Sequence, residues 1–154
     1  MATIDQFLAS LEADFGESGK GKPFEVFCKW FLENDPEWSG SIEKVWLWDD
    51  YPDKWQTQDL GTDLVLRDND GLIWAVQAKC YSEHRTTTKS DLDSFLADSG
   101  RKKVDKRLWM QTTNKMEAKA EKTLKDQDKP VTDFRLNDFR EAQIDYPERF
   151  AAIH

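Results

Sequence analysis

The stretch that decides the fold is residues 62–79, which read TDLVLRDNDGLIWAVQAK. Residues 62–67 alternate between polar and apolar side chains, and residues 72–79 form a second, mostly apolar run. Between them, the sequence DNDG at residues 68–71 is a typical turn signal. The pattern therefore predicts a β-hairpin.

Three polar side chains lie at the open end of this hairpin: Asp63 in the first strand, and Gln77 and Lys79 in the second. Side chains two residues apart on a strand point to the same face, and the backbone carbonyl of Ala78 can turn towards the same point. Carboxylate, amide and carbonyl oxygens suit Mg²⁺, and an ammonium group can orient water beside a phosphate. The spacing is equally consistent with an Asp63–Lys79 ion pair that closes the hairpin.

Helices and further strands are predicted on both sides of the hairpin. Thr3 with Gln6 matches a capping pattern at the start of a first helix, and Ser90 with Asp93 matches one at the start of a third. The predicted elements are helices over residues 4–15, 23–34, 90–100 and 114–124, strands over 42–48, 62–67, 72–79, 104–112 and 130–136, and a long loop over 49–60. This order favours an α/β fold with a mixed central sheet flanked by helices.

Length and composition indicate one ordinary globular domain. A chain of 154 residues can bury a sufficient core without disulfides. Its two cysteines predict a reducing compartment, so the expected location is the cytoplasm. The longest uncharged stretches are far short of the ~20 apolar residues of a membrane helix, so no membrane partner is expected.

The charge is the unusual feature of the composition. The chain holds 22 basic and 30 acidic residues, for a net charge of −8. Such a balance opposes binding to nucleic acid and to anionic membranes. The charge is unevenly placed, however, because residues 1–70 have a balance of −10 and residues 79–125 a balance of +5. A basic stretch therefore follows the hairpin.

Five short motifs along the chain form a recognisable set. They are Phe24-Glu25, Gly61-Thr62-Asp63, Gln77-Ala78-Lys79-Cys80-Tyr81, Ser90-Asp91-Leu92-Asp93-Ser94-Phe95 and Gln111-Thr112-Thr113-Asn114. Together they resemble the Mrr-like branch of the PD-(D/E)xK nuclease superfamily, over about residues 21–145. The closing segment 137–145 is further similar to the N-terminal nuclease domain of single-chain, ATP-dependent type ISP restriction–modification enzymes.

This resemblance implies a restriction-endonuclease-like α/β core, Mg²⁺ as cofactor and hydrolytic cleavage of DNA. It implies that Asp63 is the principal metal ligand, and that Lys79 orients the attacking water and stabilises the developing negative charge. Gln77 takes the place of the usual second acid, and Glu25 matches the helix acid near the metal. Gln77 is the departure from the pattern, because a neutral amide attracts a cation less than a carboxylate does.

The resemblance also implies a larger context. We expect residues 1–154 to be a single nuclease domain, excised from a longer chain with an ATPase/helicase-type translocase, a methyltransferase and target-recognition domains. DNA is the expected partner. Two alternatives stay open: a catalytically degenerate DNA- or protein-docking module on the same fold, and a small acidic adaptor.

A basic cluster, three tryptophans and two cysteines could each have either a functional or a purely structural role. A basic cluster could meet phosphates or could be a solvated helix end; its members are Arg101, Lys102, Lys103, Lys106 and Arg107. Three tryptophans could stack on bases, although core packing explains the first two more simply; they are Trp46, Trp48 and Trp55. Cys28 and Cys80 are expected to pack in the core.

Overall fold

A mixed five-stranded sheet organises the chain. The computed structural model describes residues 2–55 and 61–154. Within these residues the strands are β1 (Ile42–Leu47), β2 (Leu64–Asp68), β3 (Ile73–Lys79), β4 (Lys106–Gln111) and β5 (Val131–Phe134). The α-helices described are α1 (Ile4–Gly19), α2 (Gly21–Asn34), α3 (Pro36–Ser39), α4 (Lys89–Asp98), α5 (Ala118–Lys125) and α6 (Leu136–Glu141). None of the helices in these two ranges is long and apolar enough to cross a membrane.

The strands follow one another across the sheet in the order of the chain. β1, β2 and β3 pair antiparallel, whereas β4 and β5 continue the sheet in parallel to β3. The predicted hairpin is confirmed: Leu64 pairs with Val76, and Arg67 pairs with Ile73 on the far side of the turn. Gly71 in that turn has a φ of 82°, a conformation that glycine adopts without strain.

The sheet separates two layers of helices. Alternate residues of β3 point to opposite faces of the sheet. Val76 packs in the first layer, formed by α1, α2 and α6, and Ala75 packs in the second, formed by α4 and α5. The apolar stripe predicted for the second helix is fully buried in the first layer; its members are Phe24, Phe27, Cys28, Phe31 and Leu32. The fold class predicted from the sequence is therefore confirmed.

The helix ends differ in part from the prediction. The cap of α1 is confirmed, because the Thr3 and Gln6 side chains each bond the other residue's backbone N–H. α4 instead begins after Thr88, which forms the equivalent pair with Asp91, so the predicted Ser90 cap is wrong. Helices α3 and α6 were not predicted, because both are too short for a periodic apolar pattern. Of the predicted loop, residues 56–60 lie outside the described part of the chain.

Candidate active site

Asp63 is fixed by the strands on both sides of it. Its backbone N–H donates to the carbonyl oxygen of Val76 at 2.8 Å, and its carbonyl oxygen accepts from the N–H of Trp48 at 2.9 Å. It lies one step beyond the Leu64–Val76 pair, which places it opposite Gln77. The backbone of this residue is therefore held by the sheet itself.

The Asp63 carboxylate is tied to the neighbouring strand through its Oδ2 atom. This oxygen accepts from the backbone N–H of Ala78 at 2.9 Å and from the side-chain amide of Gln77. Asp63 and Gln77 are only 7% and 4% exposed. In an extended strand the N–H and C=O of one residue point to the same side, so the Ala78 carbonyl also faces the Asp63 side. The structure thus brings these three residues together.

Lys79 lies at the mouth of a cleft beside Asp63. It is the last residue of β3 and shares the strand face of Gln77. The cleft has a volume of about 570 Å³ and lies between the adjoining ends of β2 and β3 and the start of α4. We call it the Asp63 cleft, and its lining residues are Gly61, Asp63, Gln77, Lys79, Ser90, Asp91 and Ser94.

Glu25 lies on α2, which packs on the opposite face of the sheet from α4. The Oε1 atom of Glu25 accepts from Lys22 Nζ at 3.2 Å. Burial raises the pKa of the Cys28 thiol well above its usual range, and the neighbouring Cys80, Asp63 and Glu25 add to that increase. Both carboxylates therefore act electrostatically on the same buried thiol, although Glu25 does not line the Asp63 cleft.

Gly61 allows the chain to pass close to α4 just before Asp63. Its φ is 132°, and a Cβ atom here would lie 3.1 Å from backbone atoms of Ser94 and Phe95. Such a conformation is open essentially to glycine alone. Gly61 is thus part of what directs Asp63 into the cleft.

A buried hydrogen bond holds the next residue. The hydroxyl of Thr62 donates to Asp98 Oδ2 at 2.7 Å, and both side chains are buried. This bond ties the start of β2 to the end of α4, directly beside Asp63. The role of Asp98 is not predictable from the sequence, because nothing in its local pattern distinguishes it from a surface aspartate.

The donor atoms at this edge suit a hard cation. Mg²⁺ takes oxygen ligands from a few protein groups and keeps several waters, which matches a carboxylate beside a backbone carbonyl. Gln77 fits only after a rotation, because a carboxylate can only accept and so the amide nitrogen faces Asp63. Among residues 2–55 and 61–154, no group of three or more His, Cys, Asp or Glu side chains is placed to hold a metal ion.

Comparison with known proteins identifies the family. A family model described as restriction endonuclease (Mrr_cat_2) matches residues 33–153. The chain belongs to the restriction endonuclease family. The matched range includes Asp63, Gln77 and Lys79, whereas Glu25 precedes it. A search of curated proteins finds no match.

Solved restriction enzymes share the fold. The DNA-bound, ATP-dependent type ISP restriction–modification enzyme LlaBIII is 27% identical with a TM-score of 0.76, over 90% of this chain and 9% of that one. The DNA modification-dependent restriction endonuclease AspBHI is 13% identical with a TM-score of 0.59, over 90% and 36%. MspJI, solved with a 27-mer oligonucleotide, is 18% identical with a TM-score of 0.53, over 91% and 33%. This chain therefore spans about a third or less of the length of these restriction enzymes.

The basic cluster lies away from the candidate site of this family member. Lys106 pairs with Trp74, five residues before Lys79 on β3, a separation of about 16 Å along the strand. Arg107 is only 2% exposed and donates to the carbonyl oxygen of Lys129 at 2.7 Å. Arg107 is therefore held in the interior and cannot meet a phosphate, whereas a phosphate contact by the exposed members of the cluster stays a prediction.

The three tryptophans and the two cysteines considered above all pack in or against the apolar core. Trp46 and Trp48 are buried, and the Trp55 ring packs edge-on against Trp48 at 4.8 Å between centroids. Cys28 is fully buried in the first layer. Burial raises the pKa of Cys80 to about 11, so its thiol stays protonated near neutral pH. The sequence-based preference for core roles is confirmed for Trp46, Trp48 and Cys28.

Proposed function

We propose that this chain is a Mg²⁺-dependent endodeoxyribonuclease domain that hydrolyses phosphodiester bonds of DNA within a restriction–modification system. The observation that carries the proposal is that Asp63, Gln77 and Lys79 border one open cleft. A carboxylate that can hold a cation next to an ammonium group is the combination that phosphodiester hydrolysis requires. Membership of the restriction endonuclease family supports the same reaction.

Each site residue has a distinct role in this proposal. Asp63 and the Ala78 carbonyl would hold the ion, Gln77 would add its amide oxygen after rotation, and Glu25 would contribute a second carboxylate from α2. When bound, Mg²⁺ supplies polarisation of the phosphate and a more acidic water. Lys79 orients the attacking water and stabilises the negative charge that develops on the phosphate.

The proposal extends to the setting of the domain. We infer that residues 1–154 act as one nuclease unit of a longer cytoplasmic chain that also carries translocase, methyltransferase and target-recognition domains. The acidic balance of −10 over residues 1–70 supports this inference, because an acidic unit binds DNA weakly by itself. The attached domains would bring the DNA to the cleft.

Replacing Lys79 tests the proposal directly. We expect Lys79→Gln to lower the rate of plasmid nicking in Mg²⁺ by about 10²- to 10³-fold, because an amide cannot neutralise the developing charge. Lys103→Gln is the matched control, since Lys103 is an exposed member of the basic cluster. Equal cleavage by both variants, or cleavage by the parent chain in EDTA, would contradict the assignment.

A non-catalytic docking module is the second candidate. The observation that favours it is that two protein donors, Gln77 and Ala78, already satisfy Asp63 Oδ2 without a cation. In this case the cleft would serve to contact DNA or a protein rather than to hydrolyse a bond. Saturable binding of Mg²⁺ in a calorimetric titration argues for the nuclease; its absence with DNA present argues for the docking module.

Restoring the second acid separates the two candidates. We expect Gln77→Glu to lower the free energy of unfolding in EDTA by about 2 kcal/mol, because a buried hydrogen bond becomes a contact between two carboxylates. Mg²⁺ should recover most of that loss if the edge holds a cation. Thermal unfolding with and without Mg²⁺ measures both effects, with the exposed Gln143→Glu as control. A loss that Mg²⁺ does not recover would support the docking module.

A further inference from the structure

Two buried threonines at the end of β4 hold the segment that connects β3 with α4. The hydroxyl of Thr112 accepts from the backbone N–H of Tyr81 and donates to its carbonyl oxygen, each at 2.6 Å. The hydroxyl of Thr113 lies 3.0 Å from the carbonyl oxygen of Glu83 and 2.8 Å from that of Arg85. The proposed cleavage mechanism uses neither threonine, so their hydrogen bonds serve the segment itself.

This connecting segment spans residues 80–88, and hydrogen bonds also hold its C-terminal end. The backbone N–H of Thr87 donates to the carbonyl oxygen of Lys115 at 3.0 Å, and its own carbonyl accepts from Glu117 at 2.9 Å. The buried Thr87 hydroxyl donates to Gln111 Oε1 at 2.9 Å. Surface loops are usually held less completely than this. The segment is therefore preorganised.

Arg85 is the side chain that this segment presents beside the Asp63 cleft. Its guanidinium carbon lies 3.8 Å from the centre of the Tyr81 ring, and its Nη2 donates to Asp91 Oδ1 at 2.9 Å. Asp91 lines the Asp63 cleft. The Arg85 side chain is 42% exposed, so a ligand can reach it.

We propose that Arg85, stacked on Tyr81, binds a phosphate of the DNA backbone at the rim of the Asp63 cleft. The proposal rests on the proposed function for its ligand. A guanidinium offers five N–H donors in a planar fork that suits phosphate, and the hydrogen bond to Asp91 uses only one of its nitrogens. Packing on the ring also lowers the entropic cost of ordering a long side chain.

Arg85 places a positive charge near the Asp63 cleft, whereas the basic cluster does not. That cluster begins β4 at the far end of the sheet, whereas Arg85 follows the end of β3, where Lys79 lies. An acidic domain needs local cations to bring a polyanion against a carboxylate such as Asp63. Arg85 is placed to do this beside Lys79.

Binding of a fluorescent DNA duplex, measured by anisotropy in EDTA at low ionic strength, tests the proposal. We expect Arg85→Ala to raise Kd by about tenfold and to reduce the slope of log K against log salt by about one, the effect of one lost phosphate contact. Arg85→Lys should retain part of the affinity. Lys102→Ala removes an equal charge from the basic cluster at the far end of the sheet, and it should raise Kd by less than Arg85→Ala does.

A double variant separates a phosphate contact from simple neutralisation of Asp91. If Arg85 contacts DNA, Arg85→Ala combined with Asp91→Asn should still bind weakly. Recovery of parental affinity in the double variant would overturn the proposal, as would unchanged binding by Arg85→Ala or no binding by the parent chain. Because no metal or cleavage is involved, an effect of Arg85→Ala in a chain that never cuts DNA would count against the nuclease alone.

Discussion

Asp63→Asn is expected to lower the rate of DNA cleavage by about 10³-fold or more, the largest effect on activity that we anticipate for a single substitution. The reason is that the variant removes a negative charge from the point where the Asp63 carboxylate meets the Gln77 side chain and the Ala78 backbone. An asparagine oxygen can still accept from the Ala78 N–H, so the local fold should persist. Nicking of supercoiled plasmid over a range of Mg²⁺ concentrations measures the effect.

The control for this prediction is Asp70→Asn. Asp70 is an exposed aspartate in the turn of the same hairpin, at the end remote from the cleft. We expect its replacement to leave cleavage unchanged, and unfolding curves of both variants establish that each is folded. Activity of a folded Asp63→Asn chain within tenfold of the parent would be incompatible with a metal-binding role for Asp63.

Phe27→Ala is expected to reduce the free energy of unfolding by about 4 kcal/mol, the typical cost of removing a fully buried aromatic ring. Phe27 stacks on Phe7 with 4.3 Å between ring centroids, and it is fully buried in the first helix layer. Its ring also contacts a wider aromatic cluster, whose members are Phe24, Trp30, Phe31, Phe139 and Tyr146. The cavity left behind cannot close, because neighbouring rings are held by α1, α2 and α6.

Urea unfolding followed by tryptophan fluorescence measures this loss. Phe27→Leu should cost much less, because it keeps most of the apolar volume. Phe15→Ala is a second control, since the Phe15 ring is 39% exposed and its removal leaves little cavity. A Phe27→Ala chain as stable as the Phe15→Ala chain would show that the first layer is not the main core.

The parts of the fold that sequence analysis predicted depend on local periodicity. Alternation over the hairpin and the buried stripe of α2 are both visible within a few residues, so β2, β3 and α2 lie where expected. α4 begins earlier than predicted because Thr88 and Ser90 are both good caps, and the reciprocal hydrogen bonds between Thr88 and Asp91 decide between them. Short helices such as α6 have too few residues to show a period.

The part of the site that local strand patterns determine was predictable from the sequence, whereas its long-range contacts were not. Strand alternation places Gln77 and Lys79 on one face, and the hairpin brings Asp63 opposite them. The bond between Thr62 and Asp98 joins residues 36 positions apart, and no local pattern indicates it. Likewise, nothing in the sequence distinguishes Arg107 from the other members of the basic cluster, although burial removes it from the surface.

In the proposed nuclease, the hydrogen bond from Gln77 to Asp63 also determines the state of the site when no DNA is bound. A pair of buried acids would repel one another whenever the cation left, and the domain would then be less stable without metal. With an amide in one position, the pair is mutually satisfied in the absence of any ion. We therefore expect this nuclease to be folded but inactive without a cation, and to cleave only when both DNA and the cation are bound.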